Sequence, residues 1–411
     1  MLERPRHHDI APSAAPPTPG AEVPAGTANL MLVLATVGFL VNFWAWNLIS
    51  PLAAAYRDDF DLTPFQQSLL VAVPVLVGSL GRIPVGALTD KLGARVMFPA
   101  VSFLTILPVL FIGFAGDTYA RLLLGGFFLG IGGTAFAVGI PFVNAWFPPA
   151  RRGLALGLFG IGMGGTAISA FTTVRLADAQ NRATPFVIVA VALGVYGALT
   201  LLLLRDAPSR PTATGGFWAR LLSTLRLRAT IQLSVLYAVG FGGFVAFGVY
   251  LPTYLKNAYE LTPADAANRT AGFVILAVAM RPVGGWLSDK FHPVSVLTVS
   301  FAAAAALATL AALELELMPG GTIAFLGLAA ALGASTGGVF ALVARLAPPE
   351  KVGSVTGVVG AAGGLGGFIP PLLMGSIYGR SGDYSVGYLL LAVVALASCL
   401  FTATVVRRSA R

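Results

Sequence analysis

The sequence has few of the residues that soluble proteins carry at their surfaces and that enzymes use in their sites. Only 10% of its 411 residues are charged, whereas a soluble domain normally has about 25%. A single cysteine, Cys399, excludes a disulfide framework and a thiolate metal cluster. The three histidines lie outside the apolar stretches, and no catalytic triad or phosphate loop is apparent. We therefore expect neither an enzyme nor a soluble domain, with no metal and no cofactor.

Long apolar stretches fill most of the chain instead. Hydrophobic residues make up 56% of the sequence, the mean hydropathy is +0.83, and 49 residues are glycine. A helix needs about 20 apolar residues to cross a bilayer, and glycine lets such helices pack closely. Twelve stretches satisfy this length: 29–50, 64–88, 96–116, 119–147, 152–175, 184–204, 230–255, 263–288, 294–315, 320–346, 352–378 and 384–406. We therefore predict an all-α membrane protein with twelve transmembrane helices, numbered spans 1 to 12.

The order of the spans divides the chain into two halves of six helices. The N-terminal half covers residues 28–205, the C-terminal half covers residues 229–406, and a loop of residues 206–228 joins them. Part of this loop has arginines on one side, which predicts an amphipathic helix at the membrane surface. Residues 1–27 lack the apolar core of a signal peptide, and their composition predicts a disordered N-terminal tail. Residues 407–411 are predicted to form a C-terminal tail.

Lysine and arginine are distributed unevenly between the two sides of the predicted spans. If both termini are cytoplasmic, 16 of the 26 basic residues lie inside, seven lie outside and three lie within spans. Cytoplasmic loops normally carry the excess, so this orientation is predicted. The net charge of +9 then reflects orientation in the bilayer and not binding of nucleic acid. Short loops fit a bacterial inner membrane, and a monomer is the default for such a protein.

Two repeated motifs indicate that the halves are related to each other. Arg82 in span 2 and Arg281 in span 8 are 199 residues apart, and each is followed eight residues later by an Asp-Lys pair. A proline- and glycine-containing motif at residues 148–160 recurs as residues 348–360, at an offset of 200. Parallel repeats about an axis normal to the membrane are the architecture of major facilitator transporters, so we predict two pseudo-symmetric six-helix halves.

Arg82 and Arg281 lie at a depth where charged side chains are rare. At 1.5 Å per residue, eight residues place each arginine roughly 12 Å from its Asp-Lys pair, and half of the hydrocarbon core is about 15 Å. None of the 17 carboxylates lies in the centre of a span, so neither arginine has a predicted acidic partner. Two uncompensated guanidinium groups near mid-membrane predict a site for an anion, and a planar oxyanion matches the guanidinium fork.

The loop after span 2 carries a motif that predicts a conformational gate. It resembles the motif between helices 2 and 3 of the major facilitator superfamily, and here it consists of Gly86, Asp90, Lys91, Gly93 and Arg95. The glycine allows close helix approach, and the aspartate can bind a helix N-terminus or a basic residue at the cytoplasmic face. The second copy keeps Asp289 and Lys290 but loses the trailing basic residues, which predicts a weaker gate.

The glycine runs of spans 5 and 11, together with the two arginines, resemble the nitrate/nitrite porter family of this superfamily. The resemblance extends over all twelve spans and implies that the arginines clamp the substrate from opposite halves. It also implies contacts from aromatic rings and from bare glycine backbone. The implied substrate-binding residues are Arg82, Arg281, Tyr237, Phe241, Phe136, Phe43, Gly160, Gly164, Gly360 and Gly364.

One position departs from the family pattern and leaves the substrate open. Met163 stands where the family commonly has asparagine, so a polar contact is missing or comes from elsewhere, for example from Thr166. The anion is then nitrate, nitrite or another small monoanion such as cyanate, formate or a monocarboxylate. No span carries a carboxylate or histidine near its centre that could carry a proton, so exchange of nitrate for nitrite is favoured over proton-coupled symport.

Overall fold

A computed structural model describes residues 25–208, 217–348 and 351–409, and over these ranges the chain is helical and forms no strand. Twelve helices are long and apolar enough to cross a membrane. They are Gly26–Phe60, Pro64–Leu92, Ala94–Ala115, Tyr119–Trp146, Leu154–Ala179, Thr184–Leu203, Arg228–Tyr259, Pro263–Lys290, Pro293–Ala311, Leu317–Val343, Ser354–Ser381 and Ser385–Ser409. These helices correspond in order to spans 1 to 12, so the predicted fold class is confirmed.

Span 1 differs most from its predicted bounds. Its first helix, Ala25–Trp46, begins inside the predicted N-terminal tail, and its second helix, Ile49–Phe60, continues well beyond the predicted end at residue 50. A turn at Asn47 and Leu48 separates the two helices. The hydropathy pattern stops early because charged residues enter the second helix near its end, although its first two turns are buried.

The central loop contains a short helix where the arginine pattern predicts one. This loop helix is Phe217–Leu225, close to the expected residues 217–227. The preceding residues 209–216 lie outside the described part of the chain, as do residues 1–24 of the predicted N-terminal tail and residues 410–411 of the C-terminal tail.

Matching caps begin spans 2 and 8. The Thr63 hydroxyl accepts a hydrogen bond from the backbone N–H of Gln66 at 3.2 Å, and the Gln66 side chain accepts one from the backbone N–H of Thr63 at 2.9 Å. The Thr262 hydroxyl accepts in the same way from the backbone N–H of Asp265 at 3.2 Å. A threonine before a first-turn proline is a strong N-terminal signal for a helix. The repeat that relates the arginines therefore extends to the ends of their helices.

Glycine allows the helices within each half to reach backbone contact. A Cβ atom at Gly165 in span 5 would overlap the carbonyl oxygen of Leu40 in span 1. A Cβ atom at Gly366 in span 11 would overlap the carbonyl oxygen of Ala238 in span 7. Small residues at such crossings let helices associate by close packing in lipid. The glycine-rich spans 5 and 11 are therefore held against spans 1 and 7.

The two faces of the molecule differ in how the halves meet. We call the side that carries the central loop the loop face and the other side the distal face. Four bonds join the halves near the distal face: Ser50 Oγ to Val249 O (2.6 Å), Gln67 Nε2 to Thr253 Oγ1 (3.3 Å), Arg175 Nη2 to Asn268 Oδ1 (2.6 Å) and Lys256 to Asp58 (2.7 Å). Ser50 and Val249 are 199 residues apart, the offset between the two arginines, which places their contact on the axis relating the halves.

Candidate substrate-binding site

Arg82 lies in the interior of span 2, where it is 1% exposed. Its Nε donates a hydrogen bond to the carbonyl oxygen of Gly133 in span 4 at 3.2 Å. Its Nη1 donates to the carbonyl oxygen of Gly360 in span 11 at 2.6 Å, so the side chain bridges the two halves. The third nitrogen, Nη2, is buried and has no partner among the described residues. A buried donor without a partner is costly, and an acceptor from solution would remove that cost.

Arg281 occupies the equivalent place in span 8, where it is 6% exposed. Its Nη2 donates one long hydrogen bond, 3.4 Å, to the hydroxyl of Tyr237 in span 7. Its Nη1 has no partner among the described residues. A Cβ atom at Gly160 in span 5 would lie 3.4 Å from its Nε, so the bare backbone of the other half lies beside the guanidinium. Each arginine thus keeps one buried nitrogen available for a ligand.

Aromatic rings lie between the two arginines and bring them to one site. The Arg82 Cζ is 5.0 Å from the ring centroid of Phe136 and 5.3 Å from that of Phe241. The Arg281 Cζ is 5.8 Å from the same Phe241 ring, and the two phenylalanine rings are stacked at 6.0 Å. Each ring face offers the guanidinium groups a weak electrostatic attraction and excludes water from them. The structure therefore brings Arg82, Arg281, Phe136 and Phe241 together.

Tyr237 extends this aromatic cluster, and Phe340 completes it. The Tyr237 ring stacks on Phe241 at 4.8 Å, and Phe340 of span 10 packs edge-on against Tyr237 at 4.9 Å. Phe340 also lies 6.2 Å from Phe136, so it links the rings of both halves. The sequence reasoning missed Phe340. A signal for it exists, because a pair of glycines precedes Phe340 in span 10 much as a pair precedes Phe136 in span 4.

Phe43 makes its ring contacts within span 1, whereas Phe136 and Phe241 lie against the arginine side chains. It is fully buried and packs between Phe39 at 4.4 Å and Trp46 at 4.7 Å. The ring of span 1 that reaches the cluster is Phe39, which lies 5.5 Å from Phe136 and 4.8 Å from Phe159. In this structure Phe43 therefore packs against Phe39, and Phe39 contacts the aromatic cluster.

The four predicted glycines are placed differently around the arginines. A Cβ atom at Gly364 would overlap the Ser79 hydroxyl and lie 3.1 Å from Arg82 Nη1, and one at Gly360 would lie 2.9 Å from the Phe136 ring. In span 5, a Cβ atom at Gly164 would meet no atom within 4 Å, so that glycine borders open space. Span 11 is thus closed onto Arg82, whereas span 5 borders open space at Gly164.

Met163 and Thr166 do not provide a hydrogen-bond donor to this site. Met163 is fully buried, and the Thr166 hydroxyl donates to the Met163 carbonyl oxygen at 2.9 Å. The backbone carbonyl of Thr166 accepts a hydrogen bond from the Asn47 side chain at 3.3 Å. A hydroxyl that already uses its proton offers an anion only lone pairs, so the structure does not bring Thr166 forward as a replacement for the family asparagine.

A cavity of about 700 Å³ runs from Arg82 toward the loop face. Gly86 and Asp90 of the predicted gate motif line it one and two turns below Arg82. Leu221 and Thr224 of the loop helix line its outer part. The predicted gate residues of span 2 and the central loop therefore border the same path to the site.

Span 2 ends in a turn at Gly93, and the N-terminus of span 3 is capped by a residue that is distant in the sequence. Gly93 has a φ of 88°, a left-handed conformation that favours glycine, and its N–H closes the last turn of span 2. The Asp206 carboxylate accepts hydrogen bonds from the backbone N–H groups of Ala94 at 2.8 Å and Arg95 at 3.3 Å. Asp206 therefore caps the N-terminus of span 3, while the predicted role of Asp90, to bind a helix N-terminus or a basic residue, stays a prediction.

The remaining gate residues lie at the loop face without contact to the arginines. Lys91, Asp289 and Lys290 are all exposed. The Lys290 ammonium lies 5.5 Å from the Trp286 ring centroid and 5.6 Å from that of Phe291. Lys290 thus packs against aromatic rings of its own C-terminal half. These contacts can persist when the two halves move relative to each other.

Sequence comparisons place the chain among known membrane transporters. A family model described as Major Facilitator Superfamily matches residues 35–337 and 233–411. The chain is 52% identical over 376 residues to the probable nitrate/nitrite transporter NarK2 of Mycobacterium tuberculosis, covering 90% of this chain and 95% of that protein. It is 36% identical to the nitrite extrusion protein of Bacillus subtilis, with 90% and 92% covered. It is 34% identical to the probable nitrate transporter NarT of Staphylococcus epidermidis, with 88% and 92% covered.

Solved structures with low sequence identity share the fold. The crystal structure of the human organic anion transporter MFSD10 (TETRAN) superposes with a TM-score of 0.73 at 12% identity, covering 91% of this chain and 99% of that one. A bacterial homologue of the human lysosomal transporter Spinster superposes with a TM-score of 0.66 at 18% identity, covering 93% and 96%. At such identities the likeness concerns the arrangement of helices alone.

Proposed function

The chain belongs to the major facilitator superfamily and to its nitrate/nitrite porter family, and from this premise we propose that it carries nitrate and nitrite by alternating access. It is a multi-pass membrane transporter and not an enzyme. The proposal concerns its substrate, the residues that bind it, and the coupling of transport. In this proposal the loop face and both termini are cytoplasmic, and the membrane is a bacterial inner membrane.

The observation that carries the proposal is the pair of buried, unsatisfied guanidinium nitrogens. Nη2 of Arg82 and Nη1 of Arg281 have no partner among the described residues, and the hydrogen bonds of both side chains go to backbone carbonyls and a phenol. Two positive groups with spare donors attract a monoanion that can accept hydrogen bonds from both sides. Nitrate and nitrite are planar oxyanions with several acceptor oxygens, so they suit a site between Arg82 and Arg281.

The aromatic rings suit a flat and weakly hydrated anion. The Phe136 and Phe241 rings are stacked beside Arg82, and Tyr237 adds a ring and a hydroxyl next to Arg281. In our proposal these rings exclude water and limit the thickness of the site, while the guanidinium groups supply the charge. Gly160 and Gly364 let the backbones of spans 5 and 11 pack directly beside the arginines.

The difference between the two faces suits a carrier with its substrate path toward the loop face. Bonds such as Ser50 to Val249 join the halves at the distal face, while the 700 Å³ cavity reaches from Arg82 toward the loop face. Alternating access requires the opposite arrangement in a second state. In that state we expect the distal bonds to break and the loop-face residues Gly86, Asp90 and Asp289 to approach the other half.

Cross-linking of the distal face tests the proposed alternation. Cysteines introduced at Ser50 and Val249, in a Cys399→Ser background, would be joined by a short thiol-reactive linker. Cross-linking is expected to stop transport, because the distal bonds could no longer break, and cleavage of the linker is expected to restore it. Each single-cysteine variant treated with the same linker is the control. Full transport by the cross-linked protein would contradict alternating access through this face.

We further propose that nitrate is exchanged for nitrite. Without an anion the site carries two positive charges, and bringing them together in a closed site is unfavourable. A bound monoanion offsets part of this repulsion, so closure and reorientation favour the loaded carrier. A proton-coupled symporter is the alternative mode, but it needs a titratable group near the site, and no carboxylate or histidine lies in the centre of a span.

Counterflow in liposomes tests both the substrate and the coupling. Purified protein would be reconstituted with internal nitrite, with internal nitrate or without either, and uptake of labelled nitrate would be followed with and without a pH gradient. Exchange predicts uptake only with an internal anion and no response to the gradient. Uptake into anion-free vesicles that follows the gradient would instead establish symport. Stronger competition by cyanate or formate than by nitrite would contradict the proposed substrate.

A further inference from the structure

Spans 7, 11 and 12 enclose a second cavity, which is separate from the path to Arg82. We call it the lateral groove, and the space within it and at its open side is about 1140 Å³. It follows span 7 from Ala238 to Tyr254, a length of about 24 Å at 1.5 Å per residue. Its described lining consists of apolar and aromatic residues and contains no charged side chain. An inorganic anion therefore has no partner there.

The lateral groove opens sideways into the bilayer. Its rim is formed by apolar residues of spans 11 and 12 that are exposed on the outer surface: Ile369 (56%), Leu373 (47%), Leu390 (46%) and Val394 (46%). These residues lie within membrane-crossing helices, so their exposed sides face lipid. The opposite wall is deep, since Leu251 of span 7 is only 2% exposed.

Small residues and a fixed helix crossing keep the lateral groove open. Ala246 of span 7 lines it with a small side chain, and Gly387 of span 12 lies directly against the Met374 side chain of span 11, which also lines it. At one end, Gly366 of span 11 lies directly against the carbonyl oxygen of Ala238. Spans 7 and 11 already touch there through their backbones, so they cannot move closer to close the groove.

We propose that the lateral groove binds one acyl chain of a bilayer phospholipid, which enters from the leaflet at the distal face. An empty apolar groove would lose the dispersion contacts of its walls, and water does not fill apolar cavities stably. The chains of the adjacent leaflet reach about 15 Å into the membrane, so one fits within the length of the groove. Tyr250, Tyr254 and Tyr388 line its distal end, where amphipathic rings suit the headgroup level.

A bound chain would stabilise the helix that carries half of the substrate site. Span 7 places Ala238, Gly243 and Phe247 against the groove and directs Tyr237 and Phe241 at the arginines. The chain packs against one side of this segment, while span 11 contacts it through Gly366. Occupation of the groove therefore favours the present arrangement of spans 7 and 11 over one in which they separate.

Photolabelling of the full-length protein in vesicles tests the proposal directly. Vesicles of phosphatidylcholine would contain a fraction of the same lipid with a diazirine on one acyl chain, and adducts would be mapped by peptide mass spectrometry after irradiation. We expect adducts on the inner wall of the groove, at Phe247 and Leu251, as well as on the rim. Adducts confined to the outer surface of spans 11 and 12 would overturn the proposal.

A matched pair of variants on span 12 provides the control. Val394→Trp places an indole in the mouth of the groove, whereas Val393 is 64% exposed and does not line it, so Val393→Trp adds the same bulk outside. Labelling of Phe247 and Leu251 is expected to fall roughly tenfold in Val394→Trp, because the indole occupies the close-packed space, and to stay unchanged in Val393→Trp. Equal labelling in both variants would overturn the proposal.

Added phospholipid is expected to raise the melting temperature of delipidated protein by about 2 °C or more, except in Val394→Trp.

Discussion

The two arginines occupy equivalent positions in the repeat but are held in different ways. Arg82 uses two of its three nitrogens on backbone carbonyls, and one of these, Gly360 O, belongs to the other half. Arg281 makes one hydrogen bond, at 3.4 Å, to Tyr237 of its own half. The glycine equivalent to Gly360 is Gly160, which lies beside Arg281, although within the described part of the chain the hydrogen bond of Arg281 goes to Tyr237. The same residue type therefore gives one anchored and one loosely held guanidinium.

This difference indicates that the two halves contribute unequally to the site. Arg82 joins the halves before any anion is present, through its hydrogen bond to Gly360 O. Arg281 makes one long hydrogen bond within its own half, so it is less firmly held. A sequence repeat thus supplies two similar side chains, and the surrounding backbone gives them different roles.

Removal of either arginine is expected to have the largest effect. Arg82→Ala and Arg281→Ala should each reduce nitrate uptake by about 10- to 150-fold, since a charge-assisted hydrogen bond contributes about 1.5–3 kcal/mol and 1.4 kcal/mol is tenfold in affinity. Stability should separate the two variants. Arg82→Ala removes both hydrogen bonds that the side chain donates to the Gly133 and Gly360 carbonyls and is expected to lower the free energy of unfolding by about 2–4 kcal/mol.

Arg281→Ala removes a buried charge that has only one long hydrogen bond, so its melting temperature should stay close to that of the native protein. Uptake into proteoliposomes and thermal unfolding in detergent measure the two effects. Nitrate uptake at the native rate by Arg281→Ala would disprove the clamp. Equal loss of stability in both variants would show that the anchored and loose arginines are not different.

Alanine at the repeat-related glycines Gly364 and Gly164 tests the same comparison with a smaller change. A Cβ atom at Gly364 would overlap the Ser79 hydroxyl and crowd Arg82, so Gly364→Ala should push span 11 away and lower uptake more than about tenfold, with a loss of about 1–3 kcal/mol from overpacking. A Cβ atom at Gly164 meets nothing within 4 Å, so Gly164→Ala should fold normally. Uptake rates and melting temperatures of the two variants are compared. Equal values for Gly364→Ala and Gly164→Ala would contradict the closed packing around Arg82.

Loss of the Tyr237 hydroxyl should have a moderate effect on transport. Tyr237→Phe keeps the ring stacked on Phe241 but removes the hydrogen-bond acceptor of Arg281. A hydrogen bond of about 0.5–1.5 kcal/mol corresponds to a roughly threefold to tenfold higher apparent KM for nitrate. Tyr196→Phe is the control, because that buried hydroxyl of the N-terminal half has no hydrogen-bond partner among the described residues. A change in KM for the control alone would argue against a role of Tyr237.

Removal of helix caps at the loop face should change stability slightly and leave transport intact. Asp206, at the C-terminal end of the N-terminal half in sequence, caps span 3 by accepting from the Ala94 N–H. His292, which directly precedes span 9, caps that span by accepting from the Val294 N–H at 3.3 Å. Asp206→Ala is expected to lower the free energy of unfolding by about 1–2 kcal/mol, because a charged cap is lost, and His292→Ala by about 0.5 kcal/mol. Chemical denaturation of both variants measures the difference. A larger effect of His292→Ala would contradict the unequal capping of the two halves.

Much of the fold and part of the site could be predicted because lipid imposes strong rules on sequence. A segment that crosses a bilayer must be helical and apolar, so the twelve spans appear in the hydropathy pattern. Within such segments Arg82 and Arg281 stand out as charges. Phe340 could not be distinguished in this way, because a phenylalanine in an apolar span looks the same whether it packs against lipid, another helix or the substrate site.

The position of Phe43 also depends on helix packing that the sequence pattern does not show. Its sequence context resembles a substrate contact, but the rotation of span 1 directs Phe39 and not Phe43 at Phe136. Asp206 is another case, since a carboxylate at the end of span 6 gives no sign in the sequence that it caps span 3. Helix rotation and the approach of distant segments depend on packing of the whole bundle, which spacing along one helix does not fix.

The sequence by itself determined the twelve helices, their two related halves and the two buried arginines. It could do so because a membrane admits few backbone structures and because a repeat preserves spacing. The tertiary structure alone decided that Arg82 is tied to Gly360, 278 positions away in the chain, while Arg281 is tied to Tyr237. A hydrogen bond needs the right distance and angle between groups on different helices, and those are set by how the helices cross.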